Sequence, residues 1–182
     1  KLSTPEIKYT NLELLRQMPF QINLLDPGGR QVSFVHASMM GIRDGIYPET
    51  SNHALESKVF SPLAESANEK VQWLGSQSNP SSLSLFGVGH THRPLIRRLG
   101  EVLVVNAGSA GLPFDQDTRP SYARLTFHKG EWQAEIRRCD YDLYQAERDF
   151  FTTGYLEGGG PLVKLVLIEL RTAQSQLYHW AI

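Results

Sequence analysis

Two apolar runs that lead into histidine, with a helical stretch between them, constrain this chain more than any other feature. Val32-Ser33-Phe34-Val35 runs straight into His36, and Leu83-Ser84-Leu85-Phe86 passes through Gly87-Val88-Gly89 into His90-Thr91-His92-Arg93-Pro94. Between the runs, Leu55, Val59, Leu63, Ala67, Val71 and Leu74 recur three and four residues apart, which is helical spacing, and Ser61-Pro62 predicts a break and new start within it. Strand, helix and strand in that order predict a βαβ unit whose two strands lie parallel and end on one edge of a sheet. His36 and His90 are then expected on the same side of that sheet.

The flanking segments extend this reading. Leu12 to Met18 is a short helix candidate capped by Thr10 or Asn11 and closed by Pro19. Phe20 to Leu24 alternates with period two, Asp26-Pro27-Gly28-Gly29 is a turn, and Gln31 to Val35 returns as the strand that delivers His36. From Ala37 to Pro48 no period is visible, so a loop is expected. Ser51 or Asn52 is placed to cap the helix from Ala54, and Gly75 to Ser82 reads as a loop. Glu101 to Asn106 is a strand followed by the turn Ala107-Gly108-Ser109-Ala110-Gly111. Ser121 to Phe127 and Glu131 to Arg137 form a hairpin around His128-Lys129-Gly130, so an antiparallel region is expected after the βαβ unit. Tyr141 to Phe151 is helical, Leu156 to Gly160 is a turn, and Pro161 opens a last helix, Leu162 to Gln174.

A length of 182 residues suits one domain, 1–182, in which 140–182 is a helical extension. With 18 basic and 19 acidic residues, the chain has no broad field for nucleic acid or an anionic membrane. No run approaches the ~20 apolar residues of a membrane span, and Lys164 and Glu169 interrupt the longest apolar cluster, Leu162 to Leu170. No signal peptide is visible, and a single cysteine, Cys139, points to a reducing compartment, most simply the cytoplasm. The first residues, Lys1-Leu2-Ser3, lack an initiator methionine, which fits a fragment.

Neutral imidazole suits zinc, iron, nickel or manganese in mixed nitrogen and oxygen sites. His90 and His92 are i and i+2, so on a strand they share a face and on a loop they diverge toward two metals. Hydrogen-bonded structural histidines are the plain alternative; their place just past a strand end favours the metal site. His128 reads as solvated and His179 as packing or surface. Cys139 has no neighbouring histidine to activate it, and Met39-Met40 line either a substrate mouth or an ordinary loop.

Phe86-Gly-Val-Gly-His-Thr-His-Arg-Pro94, followed by a strand and by Val105-Asn-Ala-Gly-Ser-Ala-Gly111, resembles the closing motif of the calcineurin-like metallophosphoesterases, in their compact bacterial and archaeal phosphodiesterase branch. Phe34-Val-His-Ala-Ser38 is similar to the metal-ligand motif before it, and Arg119-Pro-Ser-Tyr122 to the opening of the strand after it. The resemblance runs from about Leu12 to Asp142. It implies an α/β fold, part of a four-layer α/β-β/α sandwich with mixed sheets, with the N-terminal strands and helices missing. It also implies that His36 and His90 bind one divalent ion and His92 a second (Mn, Fe, Zn or Ni). Together the ions would activate a bridging hydroxide for hydrolysis of a phosphate monoester or diester. Asn106, Gly108 and Ser109 would support the metal loop, and Arg43 or Arg93 would reach a phosphate.

The departures from that pattern are equally specific. The family's Asp-x-His, Gly-Asp and Gly-Asn-His motifs, which precede the segment that His36 represents, are absent; Asn52-His53 follows it and has Ser51 in place of glycine. Without the bridging carboxylate, two ions are not expected to be held at catalytic distance. The chain is therefore expected to be the C-terminal part of a phosphoesterase, its uncovered edges met by the absent portion or by a homo-oligomer. The alternatives are a degenerate, non-catalytic member serving as a binding or scaffold module, and a mononuclear zinc hydrolase with Asp44 or Asp115 as base.

Overall fold

The computed structural model describes residues 9–61, 71–73 and 82–177. The first helix, Tyr9–Gln17 (α1), reaches further back than the sequence predicts, so Thr10 and Asn11 lie inside it rather than before its start. Two strands follow, Gln21–Leu25 (β1) and Gln31–Val35 (β2), paired antiparallel. Their turn is organised by the buried Asp26. Its Oδ1 accepts from the Gly28 N–H at 2.8 Å and the Arg30 N–H at 2.9 Å, and its Oδ2 accepts from Arg30 Nε at 3.1 Å.

Helix Asn52–Phe60 (α2) starts at Ser51, whose hydroxyl accepts from the Ala54 N–H at 3.2 Å. It buries Leu55 and Val59 against the sheet. The helical spacing does not continue to Leu74: Val71–Trp73 is a short strand (β3), parallel to β1. A β-branched residue and an indole two positions apart also fit a pleated edge, and pairing with β1 decides between the two periods. The helix restart at Pro62, the loop from Gly75 and His179 lie outside the described residues.

Three further strands complete the sheet: Leu83–Val88 (β4), Leu95–Leu99 (β5) and Val102–Asn106 (β6). The six-stranded order is β3-β1-β2-β4-β6-β5. Strands β2, β4 and β6 run parallel at its centre, while β5 returns antiparallel along β6. Within this large sheet the antiparallel pairing that follows the βαβ unit is confined to one side of β6. Its other side pairs parallel with β4, and all five of its residues are buried, as in a central parallel strand.

A second sheet is the hairpin of Ser121–His128 (β7) and Glu131–Arg138 (β8). Its two-residue turn, Lys129-Gly130, has φ of 49° and 83°, as a tight hairpin requires. Leu125, Trp132 and Ala134 of this hairpin pack on Val32, Leu85, Leu103 and Val105 of the large sheet. On the opposite face, Phe86, Val88 and Val104 meet Leu55 and Val59 of α2. Arg30 ties the two sheets at their turns: its Nη2 donates to the Gly130 carbonyl at 2.6 Å and its guanidinium lies 6.0 Å from the Phe127 ring centre.

The chain closes with helices Leu143–Thr152 (α3), Tyr155–Gly158 (α4) and Pro161–Thr172 (α5). Asp142 caps α3, Pro161 occupies the first turn of α5, and the expected turn before it contains the short α4. No helix among the described residues is long and apolar enough to cross a membrane.

Candidate metal centre

The parallel pairing of β2 and β4 brings their C-terminal ends together, and the Gly89 N–H donates to the His36 carbonyl at 2.9 Å across that edge. His36 follows β2 directly. His90 follows β4 after Gly89, and His36 Nε2 stands 3.1 Å from His90 Nδ1. Two nitrogens bound to one ion at about 2.1 Å each lie roughly 3.0–3.4 Å apart, so this separation fits two ligands of a single cation.

The loop that carries His90 and His92 is strained at both. His90 has φ 64° and His92 has φ 56°, left-handed conformations that cost ~1–3 kcal/mol each for residues other than glycine. Around His90 the chain closes a three-residue turn, with the Thr91 N–H donating to the Gly89 carbonyl at 2.7 Å. Thr91 is buried between two histidines that are not.

Asn106, at the end of β6 and in register with Val88, holds this loop in place. It is fully buried, and its Nδ2 donates to the Gly89 carbonyl at 2.8 Å and to Thr91 Oγ1 at 3.0 Å. Its Oδ1 accepts from the Gly108 N–H at 2.9 Å. Gly108 has φ 81°, and a Cβ there would come within 2.2 Å of Ser121 Oγ and 2.8 Å of Pro94 Cγ. A loop residue approaches from the other side: a Cβ at Gly45 would stand 2.7 Å from Thr91 Cγ2 and 3.1 Å from His90 Cδ2.

The electrostatics favour neutral imidazole. Burial, and then the charge that His36 would carry, push His90 below the usual histidine range, against a main-chain hydrogen bond with Arg43. A ligand nitrogen that is already unprotonated has no proton to lose on binding metal. His92 is oriented differently. Its Nδ1–H donates to the Leu112 carbonyl at 2.7 Å and its ring stacks on Phe114 at 4.9 Å, leaving Nε2 with the lone pair. Fixing one ring nitrogen on a carbonyl is how proteins orient a metal-binding imidazole.

His36 and His90 are therefore brought together, and His92 stands beside them on the same loop. Among the described residues, no group of three histidine, cysteine, aspartate or glutamate side chains converges as a metal cage. The residues fit two ligands of one ion and do not by themselves form a dinuclear centre. Each carboxylate weighed as a base is paired with a cation. Burial would raise Asp44, but Lys58 Nζ at 2.5 Å and the Ser38 hydroxyl at 2.6 Å outweigh it and hold the carboxyl below its usual range. Asp115 is ion-paired with Arg138.

Beyond the histidines, Arg93 lies 5.7 Å from the Tyr47 ring centre and 3.6 Å from Glu49, and Arg43 is exposed. The left-handed histidines and the approach of Gly45 were not visible in the sequence, because neither residue type nor spacing records the sign of φ. Glu169 left a trace there as an acid inside an apolar run, and it is fully buried.

A crystal structure of a metallophosphoesterase from Sphaerobacter thermophilus superposes with a TM-score of 0.61 at 20% identity, over 92% of this chain and 63% of that one. That of a hypothetical protein from Pyrococcus horikoshii OT3 gives 0.61 at 18% identity, over 91% of this chain and 55% of the other. At these identities the likeness concerns the fold, and this chain spans less than two thirds of either structure. No curated protein matches the chain. Residues 10–130, which include His36, His90 and His92 and the strands that present them, match the calcineurin-like phosphoesterase superfamily domain, and the chain belongs to that superfamily of metal-dependent phosphoesterases.

Proposed function

We propose that this chain supplies the later metal ligands of a dinuclear phosphoesterase, His36 and His90 to one divalent ion and His92 to the second. The observation that carries this reading is the 3.1 Å approach of His36 Nε2 to His90 Nδ1 at the ends of adjacent parallel strands. The orientation of His92 by Leu112 supports its part. When bound, the ions supply a metal-activated hydroxide and stabilise charge on the phosphoryl oxygens. The protein's own contribution is to keep the His90 imidazole neutral, aim the ligands through Asn106 and Leu112, and offer Arg93 to a phosphate oxygen. The bridging carboxylate comes, in this proposal, from outside the His36, His90 and His92 set. Manganese, a phosphate monoester or diester as substrate, and a cytoplasmic setting in keeping with the exposed free Cys139 complete the reading.

The test is metal binding and hydrolysis together. Calorimetry with Mn²⁺ or Zn²⁺ should show saturable binding that weakens in His90→Ala by at least the ~10–100-fold typical of losing a group that merely orients a ligand. In the complete protein, release of p-nitrophenol from its mono- and diesters should require the metal and fall on the same substitution. Undiminished metal binding in His90→Ala, or none in the parent chain, would overturn the proposal. A second reading, a non-catalytic binding module, is favoured by the lack of three converging ligands among the described residues. It expects metal binding without turnover in the complete protein.

A further inference from the structure

Beside His90 lies a cavity of about 210 Å³ that the metal ligands do not fill. Tyr47 and Arg93 line it from the loops around the histidines, Phe114 from the segment stacked on His92, and Ser175 and Leu177 from the chain after α5. This last wall comes from beyond the family match, which ends at residue 130. It is nevertheless tied to the site. The Gln116 N–H donates to the Ala173 carbonyl at 3.0 Å, and the Phe114 N–H to the His92 carbonyl at 3.1 Å. Glu169 of α5 turns its buried carboxylate to the same segment: Oε1 accepts from the Gln176 N–H at 2.6 Å and the Leu177 N–H at 2.9 Å. Oε2 is buried without a hydrogen-bond partner among the described residues. Burying a carboxylate is costly, and here it fixes the backbone that sets Leu177 against the cavity.

We infer that this cavity is the subsite for the ester group of the substrate, and that it selects a planar aromatic or heteroaromatic group over a small alkyl one. The inference rests on the proposed phosphoesterase reading and adds to it the class of ester. Tyr47, Phe114 and Leu177 offer aromatic and aliphatic walls, which suit a flat apolar ring. Arg93 sits at the same cavity and its guanidinium has five N–H donors, more than its 3.6 Å contact with Glu49 uses. An aryl phosphate would thus place its anion toward Arg93 and His90 and its ring toward Phe114 and Leu177. The segment after α5 is the specificity-determining wall, and Glu169 is its positioning residue.

Binding of phenylphosphonate and methylphosphonate to the full chain, measured by calorimetry with and without Mn²⁺, tests this without requiring turnover. Phenylphosphonate should bind about 10-fold tighter or more, the return from covering one ring. Leu177→Trp, which fills the cavity from its rim, should remove that preference. Glu169→Ala should reduce the preference and Glu169→Gln, which keeps an oxygen for the two N–H groups, should restore it; should Glu169→Ala fail to fold, Leu177→Trp decides. Equal affinity for the two phosphonates, or a preference that survives Leu177→Trp, would overturn the inference. If Mn²⁺ strengthens both ligands but no ring preference exists, the subsite fails and the metal reading stands. If the preference holds and Mn²⁺ changes nothing, the metal reading fails and the subsite stands.

Discussion

At the scale of single residues, the two left-handed histidines decide how this site is built. A side chain at φ 64° is normally glycine's territory, yet His90 is held there by the 2.7 Å turn bond from Thr91 to Gly89 and by the Asn106 amide beneath it. The usual order of glycine and alanine should then reverse. In the absence of metal, His90→Gly should be more stable than His90→Ala by about 1 kcal/mol, since both lose the imidazole and glycine alone is relieved of the strain. Urea midpoints of the two variants check this, and an alanine variant as stable as the glycine one would mean that the strain is not real. None of this could be read from Gly89-His90-Thr91-His92, because the sign of φ is imposed by Asn106 and Gly45, which are remote in sequence. What could be read was that three histidines belong near strand ends.

At the scale of elements, the period-two segments were legible and the mixed ones were not. Gln21 to Val35 folds as the hairpin that its alternation and its Asp-Pro-Gly-Gly turn predict. Val71 to Trp73 was misread as helix because its apolar spacing suits both periods, and pairing with β1 settled it. The turn after β1 also carries a pH dependence. Burial would raise Asp26, but hydrogen bonds from the Arg30 main chain, Ser84 and Gly28, with the Arg30 charge, outweigh it and hold the carboxyl below its usual range. A depressed folded-state pKa stabilises above the unfolded value, and that contribution fades as pH falls through the folded one. Asp26→Asn leaves Oδ1 in place but sets an amide donor against Arg30 Nε, so it should cost about 1–2 kcal/mol at pH 7. The gap between wild type and variant should be constant above about pH 5 and close as the medium is acidified below the ordinary carboxylate pKa. Urea titrations from pH 7 to pH 3 measure it; a gap that widens in acid would contradict the assignment.

At the scale of the whole molecule, the architecture was legible as a βαβ unit followed by a hairpin, within a mixed α/β fold of the phosphoesterase kind. The link from α5 back to the site was not. It depends on main-chain bonds such as Gln116 to Ala173, which no side-chain pattern records. The tie made by Arg30 between the two sheets has a mechanical consequence. A two-stranded hairpin is at best marginal alone, so β7 and β8 borrow their permanence from the layer they lie on. Arg30 holds the β7–β8 turn to that layer through the Gly130 carbonyl. Lysine keeps the charge but cannot span Asp26 and Gly130 with a planar fork. Arg30→Lys should therefore speed amide exchange in Ser121–Arg138 while β2, β4 and β6 keep their protection, a difference that native-state hydrogen exchange resolves. Uniform acceleration throughout the chain would show that the two sheets open together whatever joins their turns. In the first case the turn is held at its tip by Arg30, and proteolytic nicking should begin at Lys129 once that hold is weakened.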